Sequence, residues 1–450
     1  MNQQNQPTKR RSPDAEARTR SVIVTVLACI LTGIVVFLAT FFSVTQHYRE
    51  EIEDYRAYYV KNPEKYDIGL LEAAFGLLDA KSLYDLPDRA ELTEAMIEAA
   101  IAAMGDRHGA FFTDAEYAAY KSDLDGNFVG IGVTIQKDDD GNALIVLVHD
   151  GSPAEESGLA AGDVILSVDG TRFADGYDTA FDAIVGESGS TVEVTYRRAG
   201  VESTVTVTRA AVVKQTVVSR IETEGDGKIG YVHISGFDGH TYGQFRSAVS
   251  SLEEAGVDAF LFDLRSNGGG LLSEVSKALA YLLPDGVIAY VDYRSESSAD
   301  YVISAENGYV KNGGETAGLY CEGGHRITVP AAVLVNGATA SAAELFTASL
   351  RDYATDAFGS ALDVTVVGTT TYGKGTVQTT SQVAAGNYLK LTVARYNPPS
   401  NVNYDGVGIT PDLVVKPTPE EEKISVYLRT RENDSQFRAA LAALGEKINP

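Results

Sequence analysis

Three short stretches carry residue types that could do chemistry, and the first is GTTTYGKGT, residues 368–376. It approaches the phosphate-loop spacing G-x-x-x-x-G-K-[ST], with Gly368, Gly373 and Lys374 in place, but Gly375 stands where the magnesium-binding hydroxyl belongs. A phosphate loop also runs from a strand into a helix, whereas the GTVQTTSQVAAG that follows is rich in β-branched residues and has no helical period. Lys374 therefore reads as a base and not as a phosphate grip. On a strand, Tyr372, Lys374, Thr376 and Gln378 would share one face. To accept a proton the amine must be neutral, so its pKa has to fall from about 10.4 towards about 7, roughly 4 to 5 kcal/mol of desolvation. Gln378 suits that task, because an amide oxygen can orient the amine without the negative charge that would hold the proton on. A solvated surface lysine is the ordinary alternative.

The second stretch is NGATASAAELF, residues 336–346, in which Ser341 lies where a strand gives way to a helix. Ser341-x-x-Glu344 spells a capping box, and from that pattern alone the cap is favoured. A nucleophile uses the same address for another reason: the start of a helix leaves N–H groups free, here that of Ala342, to stabilise an oxyanion. The third stretch is DLRSNGGGLL, residues 263–272, where three glycines after an apolar run let the backbone approach a ligand closely. Gly269 or Gly270 would complete an oxyanion hole with Ala342, unless the glycines form a bare turn. The six histidines are scattered, and no H-E-x-x-H or cysteine cluster occurs, so neither a metal nor a cofactor is implied.

The elements that must position these residues follow from pattern. The 450 residues allow two or three domains, and a formal charge of −25 argues against nucleic acid as a partner. Residues 22–42, VIVTVLACILTGIVVFLATFF, carry no charge and are long enough to span a bilayer. Lys9, Arg10, Arg11, Arg18 and Arg20 precede them, so residues 1–20 are expected in the cytoplasm, 21–44 in the membrane and the rest outside. Cys29 and Cys321 would lie on different sides of that arrangement, leaving no intrachain disulfide. Residues 45–126 carry helical spacing, with a further short helix beginning at Asp114 to Glu116. Residues 127–211 switch to short strands and glycine turns, with hairpins at Asp140-Gly141 and Ala199-Gly200. From 212 to 417 strands such as AFLFDLR alternate with amphipathic helices, the pattern of a buried parallel sheet, and 418–450 form a closing helical segment.

GSPAEESGLAAGDVILSVDG resembles the core of a PDZ domain. The VGIG of Val129, Gly130, Ile131 and Gly132 matches the loop with which such domains hold a terminal carboxylate. Successive N–H groups in that turn make an anion nest, and the strand edge beside it accepts a peptide as an added strand. With this domain, the motifs MGDRHGAFFTDAEY, KIGYVHISGF, DLRSNGGGLL, VLVNGATASAAEL, TYGKGTVQ and GVGITPDLVV stand in the order of one family. The chain resembles the C-terminal processing peptidases, or tail-specific proteases, from about Met104 to Val415. The resemblance implies a multidomain α/β protein whose inserted PDZ domain serves a catalytic core of the crotonase and ClpP type. It puts the nucleophile on Ser341, the base on Lys374, the orienting amide on Gln378, and the oxyanion donors on Ala342 and Gly269. The implied activity is that of an extracytoplasmic, membrane-anchored serine endopeptidase taking proteins with free C-termini, with a homo-oligomer or an adaptor as further partners. A catalytically silent PDZ scaffold is the rival. Two stretches exceed the family pattern, near 305–325 and 352–366, and Thr339-Ala340-Ser341-Ala342-Ala343 replaces its serine-rich run.

Overall fold

A computed structural model describes residues 68–284, 286–293, 301–304, 309–312, 315–318, 326–355, 362–384 and 386–449. The apolar run expected to cross a membrane lies outside these residues, and no described helix is long and apolar enough to do so. The chain divides after Thr93 into two units. The first contains α1 (Ile68–Lys81) and the start of α2 (Arg89–Ala103), where Asp88 Oδ1 accepts the N–H groups of Ala90 and Glu91 at 2.7 and 2.9 Å.

The second unit opens with β1 (Ala110–Thr113) and α3 (Asp114–Asp125). Thr113 and Glu116 make a reciprocal capping box at the start of α3, and Gly126, at φ 72°, ends it in the left-handed region. The β-rich domain follows: β2 (Asn127–Gly130), β3 (Val133–Lys137), β4 (Ala143–Val148), α4 (Pro153–Glu156), β5 (Val164–Val168), β6 (Thr171–Arg172), α5 (Tyr177–Asp182), β7 (Thr191–Arg198), β8 (Val201–Thr208) and β9 (Ala210–Val213). β2 pairs with β9 and closes the domain, while the main sheet runs β3-β4-β5-β7-β8, which leaves β3 on an edge. Ile131, Ile145, Ile165 and Val194 are fully buried between that sheet and the two helices. The β7–β8 hairpin turns on Ala199 and Gly200, both at positive φ as a tight two-residue turn requires.

The α/β core is built on β10 (Val217–Glu224), β11 (Gly227–Ile234), α6 (Thr241–Glu254), β12 (Ala259–Asp263) and α7 (Leu272–Leu282). It continues with β13 (Val287–Tyr293), β14 (Tyr301–Ser304), β15 (Tyr309–Asn312), β16 (Glu315–Gly318), β17 (Ala331–Val335), α8 (Ala342–Tyr353) and β18 (Val364–Gly368). The last elements are β19 (Thr376–Ala384), β20 (Asn387–Asn397), β21 (Leu413–Val414), α9 (Pro419–Glu422) and α10 (Ser435–Ile448). A six-stranded sheet runs β10-β11-β12-β17-β18-β21 and is parallel from β11 onward. Its strands β12 and β17 are buried at every residue, which is why they read as unbroken apolar runs. Phe245, Phe262, Leu279 and Phe346 pack α6, α7 and α8 on one face, and Phe437, Leu441 and Leu444 of α10 cover the other.

A second sheet joins β1, β20, β13, β14, β15 and β16, with β19 also on β20. Of the long stretch before β17, the described residues 301–304, 309–312 and 315–318 form a meander, β14 to β16, that extends this sheet. The closing segment is clipped to the core by a buried ion triad. Arg265 donates to both oxygens of Asp263 at 2.9 and 2.6 Å and to Asp434 at 2.8 Å. Asp434 in turn caps α10 by accepting from Phe437 N–H.

Candidate active site

Ser341 is the residue before the first turn of α8, at φ 56° and ψ −120°. A serine at positive φ is a strained junction of the kind found at functional sites, since its Cβ crowds the backbone there. Its hydroxyl makes no capping hydrogen bond to the helix. In the capping box that the pattern spells, Glu344 Oε2 accepts Ser341 N–H at 2.9 Å, and the Ser341 hydroxyl lines the cavity beside that of Tyr396.

Glu344 does more than close a helix end. Its carboxylate is fully buried and accepts four hydrogen bonds, from Ser341 N–H, Thr371 Oγ1 at 2.5 Å, Gly373 N–H at 2.7 Å and Lys374 N–H at 2.8 Å. The N–H groups of Ser341 and Lys374 reach the same oxygen, Oε2. One carboxylate thus fixes the backbone at both prospective catalytic residues. At the third position of α8 it also faces the positive end of that helix.

Lys374 lies in a loop and not on a strand. β18 ends at Gly368 and β19 begins at Thr376, because Gly373, at φ 87°, turns the chain where a Cβ would meet Gly408 N at 2.8 Å. The expected shared face is broken accordingly: Tyr372 is 55 % exposed and points elsewhere, and a bulge shifts the β19 register between Val377 and Gln378. Lys374, Thr376 and Gln378 nevertheless line one cavity of about 370 Å³ with Ser341, Ala342 and Tyr396. The Lys374 amine is half-buried and forms no hydrogen bond or ion pair among the described residues; Tyr396, beneath it, donates its hydroxyl to Lys374 O at 2.9 Å. Burial and then the Lys390 ammonium pull Lys374 below the usual lysine range, against opposing pulls from Asp106 and Glu344. No hydrogen bond joins Lys374 Nζ to Ser341 Oγ. Gln378 donates from Nε2 to Thr376 and Thr392 hydroxyls at 3.0 and 3.2 Å, and its amide oxygen meets no donor among the described residues.

The glycine stretch departs from expectation in one respect. Gly269 lies against the nucleophile, close enough that a Cβ would come within 2.7 Å of Ser341 Cβ, but its N–H donates to Asn267 Oδ1 at 2.8 Å. Gly269 is therefore already committed. Gly270 lines the cavity at φ 141°, and its N–H and that of Ala342 meet no acceptor among the described residues. The loop is tied to the nucleophile segment by Ala340 N–H on Asn267 O at 2.9 Å.

In the β-rich domain, Val129 and Gly130 belong to β2 and pair with Ala211 and Ala210, so only Ile131 and Gly132 form the turn. Their carbonyls point into the domain, accepting from Ala154 and His149, while their N–H groups, beside the open edge of β3, have no acceptor among the described residues. Among the described residues no group of three or more His, Cys, Asp or Glu side chains is placed to hold a metal ion. Sequence reasoning missed Tyr396, Thr392 and Asp106, and it gave Glu344 only a capping role.

Glu344→Gln tests the shared carboxylate. Whichever way the amide stands, its NH₂ faces two hydrogen-bond donors, so urea unfolding should show a loss of about 2 kcal/mol or more. Peptidase activity should fall with it. Wild-type stability and activity in this variant would contradict the role given to Glu344.

The comparisons with known proteins agree with this geometry. The Peptidase family S41 model matches residues 228–415, and a PDZ domain model matches residues 129–208. A probable CtpA-like serine protease of Staphylococcus haemolyticus is 28 % identical over 396 residues, covering 86 % of this chain and 74 % of that protein. A protein of the same description from Staphylococcus aureus strain COL is 27 % identical over 393 residues, covering 85 % and 73 %. The solved structure of a putative S41 protease from Bacteroides fragilis shares the fold, with a TM-score of 0.55 at 22 % identity over 81 % of this chain and 92 % of that one. A strained serine at a helix start and an amine in the same cavity thus meet within the segment that matches Peptidase family S41, beside a segment that matches a PDZ domain, in a serine-type peptidase similar to the CtpA-like proteases.

Proposed function

We propose that the protein is an endopeptidase with a serine–lysine dyad, Ser341 as nucleophile and Lys374 as base. The observation that carries this reading is the anchoring of both residues' N–H groups on one oxygen of Glu344, with both side chains on one cavity. In the reaction, Nζ and Oγ close to about 3 Å, the neutral amine takes the hydroxyl proton, and Oγ attacks the scissile carbonyl. The N–H groups of Ala342 and Gly270 receive the developing oxyanion. The lysine then gives its proton to the leaving amine; water, deprotonated by the neutral Lys374 amine, attacks the acyl carbon, and the lysine returns that proton to Ser341 Oγ as the acyl group leaves as a carboxylic acid. Gln378 holds the amine through its amide oxygen.

The substrate class follows from the PDZ domain. The free N–H groups of Ile131 and Gly132 beside the edge strand β3 suit the carboxylate of an extended chain end. Capture there would deliver a protein tail to Ser341. The basic residues before the apolar run support an anchored protein with its peptidase outside the cytoplasm. Release of the full chain from membranes by alkaline extraction would contradict the anchor.

The reaction is tested with an unfolded protein substrate presented with a free and with an amidated C-terminus. Ser341→Ala and Lys374→Ala should each lower cleavage by a factor of about a thousand or more, and amidation should slow the wild type. Cleavage that persists in both variants would exclude the dyad; no cleavage by any version would favour a scaffold that binds tails without cutting them.

The pH dependence has a definite sign. Only the neutral amine is competent, so kcat/KM should rise with pH through the lowered pKa of Lys374. Lys390→Met removes a like charge, raises that pKa and should move the rise to higher pH, whereas Lys390→Arg should leave it in place. A profile flat from pH 5 to 9, or one unmoved in Lys390→Met, would count against this account.

A further inference from the structure

We propose that Thr392 and Asp106 are positioning residues that determine which way round the Gln378 amide stands. The inference rests on the reading of Gln378 as the group that orients Lys374. Asp106 belongs to the MGDRHG segment between α2 and β1, and Thr392 to β20, so the two meet from positions 286 residues apart.

The argument is one of hydrogen-bond direction. An ionised carboxylate can only accept. Asp106 Oδ2 accepts Thr392 N–H at 2.8 Å, and Oδ1 accepts the Thr392 hydroxyl, also at 2.8 Å. Burial pushes the Asp106 carboxyl up, but its bonds from Thr392, His108 and Gly109 outweigh that and hold it below the usual range, so it is ionised at neutral pH. The single Thr392 hydroxyl proton is thereby spent on Asp106, and Oγ1 is left only as an acceptor. A group placed 3.2 Å from that oxygen must then be a donor, and in Gln378 the donor is Nε2. Turning the amide over would set its oxygen against the Thr392 oxygen. Thr376 Oγ1, 3.0 Å from Nε2, receives the second amide proton. The carboxylate of Asp106 thus reaches through one hydroxyl to aim the Gln378 oxygen away from Thr392, on the cavity that holds the Lys374 amine. Without Thr392 Oγ1 the two orientations of the amide lose their main difference, and half of the reorientations would present an NH₂ to the base.

Thr392→Val keeps the size and the β-branched shape of the residue while removing the relay. Against an unfolded protein substrate its kcat should fall about tenfold with KM little changed, and Thr392→Ser should restore it. In a Gln378→Ala background the same substitution should cost nothing further, since Thr392 acts through that amide. Thermal unfolding shows whether the variants are folded. Undiminished kcat in Thr392→Val, an equal loss in the Gln378→Ala background, or no restoration by Thr392→Ser would overturn the inference while leaving the dyad standing. Undiminished kcat in Gln378→Ala itself would overturn both this inference and the role given to Gln378 above.

Discussion

A carboxylate with no exposed surface and no ion pair among the described residues must be held by donors, and Glu344 has four of them. Isolated burial of such a group would cost many kcal/mol, so its surroundings are fixed to the donors that offset it. Those donors are the N–H groups of Ser341 and Lys374 and two further groups, from Thr371 and Gly373, in the loop between β18 and β19. The same constraint therefore sets the strained backbone of Ser341 and the path of the lysine loop. A shift of either alone would strip the buried oxygen Oε2 of one of its two donors.

The rest of the site follows from what that constraint leaves open. Lys374, freed from any strand, hangs into the cavity with no counter-ion, where burial and Lys390 favour its neutral form. Lys390 itself lies beside the stacked rings of Phe112 and Tyr120, 5.3 Å from the first centroid and 4.9 Å from the second. Both rings come from β1 and α3, the segment that precedes the PDZ domain in the chain. Asp106 comes from the same region and reaches Thr392. The short stretch ahead of the PDZ domain is thus part of the catalytic chamber's wall, and the β-rich domain is an insertion between two pieces of it.

Much of this organisation was legible in the sequence. Buried strands such as β12 and β17 read as apolar runs, and the β7–β8 hairpin announced itself through Ala199-Gly200. The order of the motifs placed Ser341, Lys374 and Gln378 together, and they do line one cavity. What failed were inferences from local period. Alternation could not see that Gly373 would turn the chain before β19, although the glycines in GTTTYGKGT were a warning. The glycine run could not reveal that Asn267 claims the N–H of Gly269. The capping-box pattern found Glu344 but not its three other donors, which come from residues 27 to 30 positions away. Contacts of that separation carry no local signal.

The central claim is that burial and the Lys390 ammonium hold the Lys374 amine below the ordinary lysine range while it shares a cavity with the Ser341 hydroxyl. Direct titration of that amine by NMR, with ¹⁵N- or ¹³C-labelled lysine in the Ser341→Ala protein and with Lys374→Arg to assign the signal, measures it most plainly. The account predicts a lysine that titrates below the ordinary value of about 10.4. A signal for Lys374 that titrates at or above the ordinary value would contradict it.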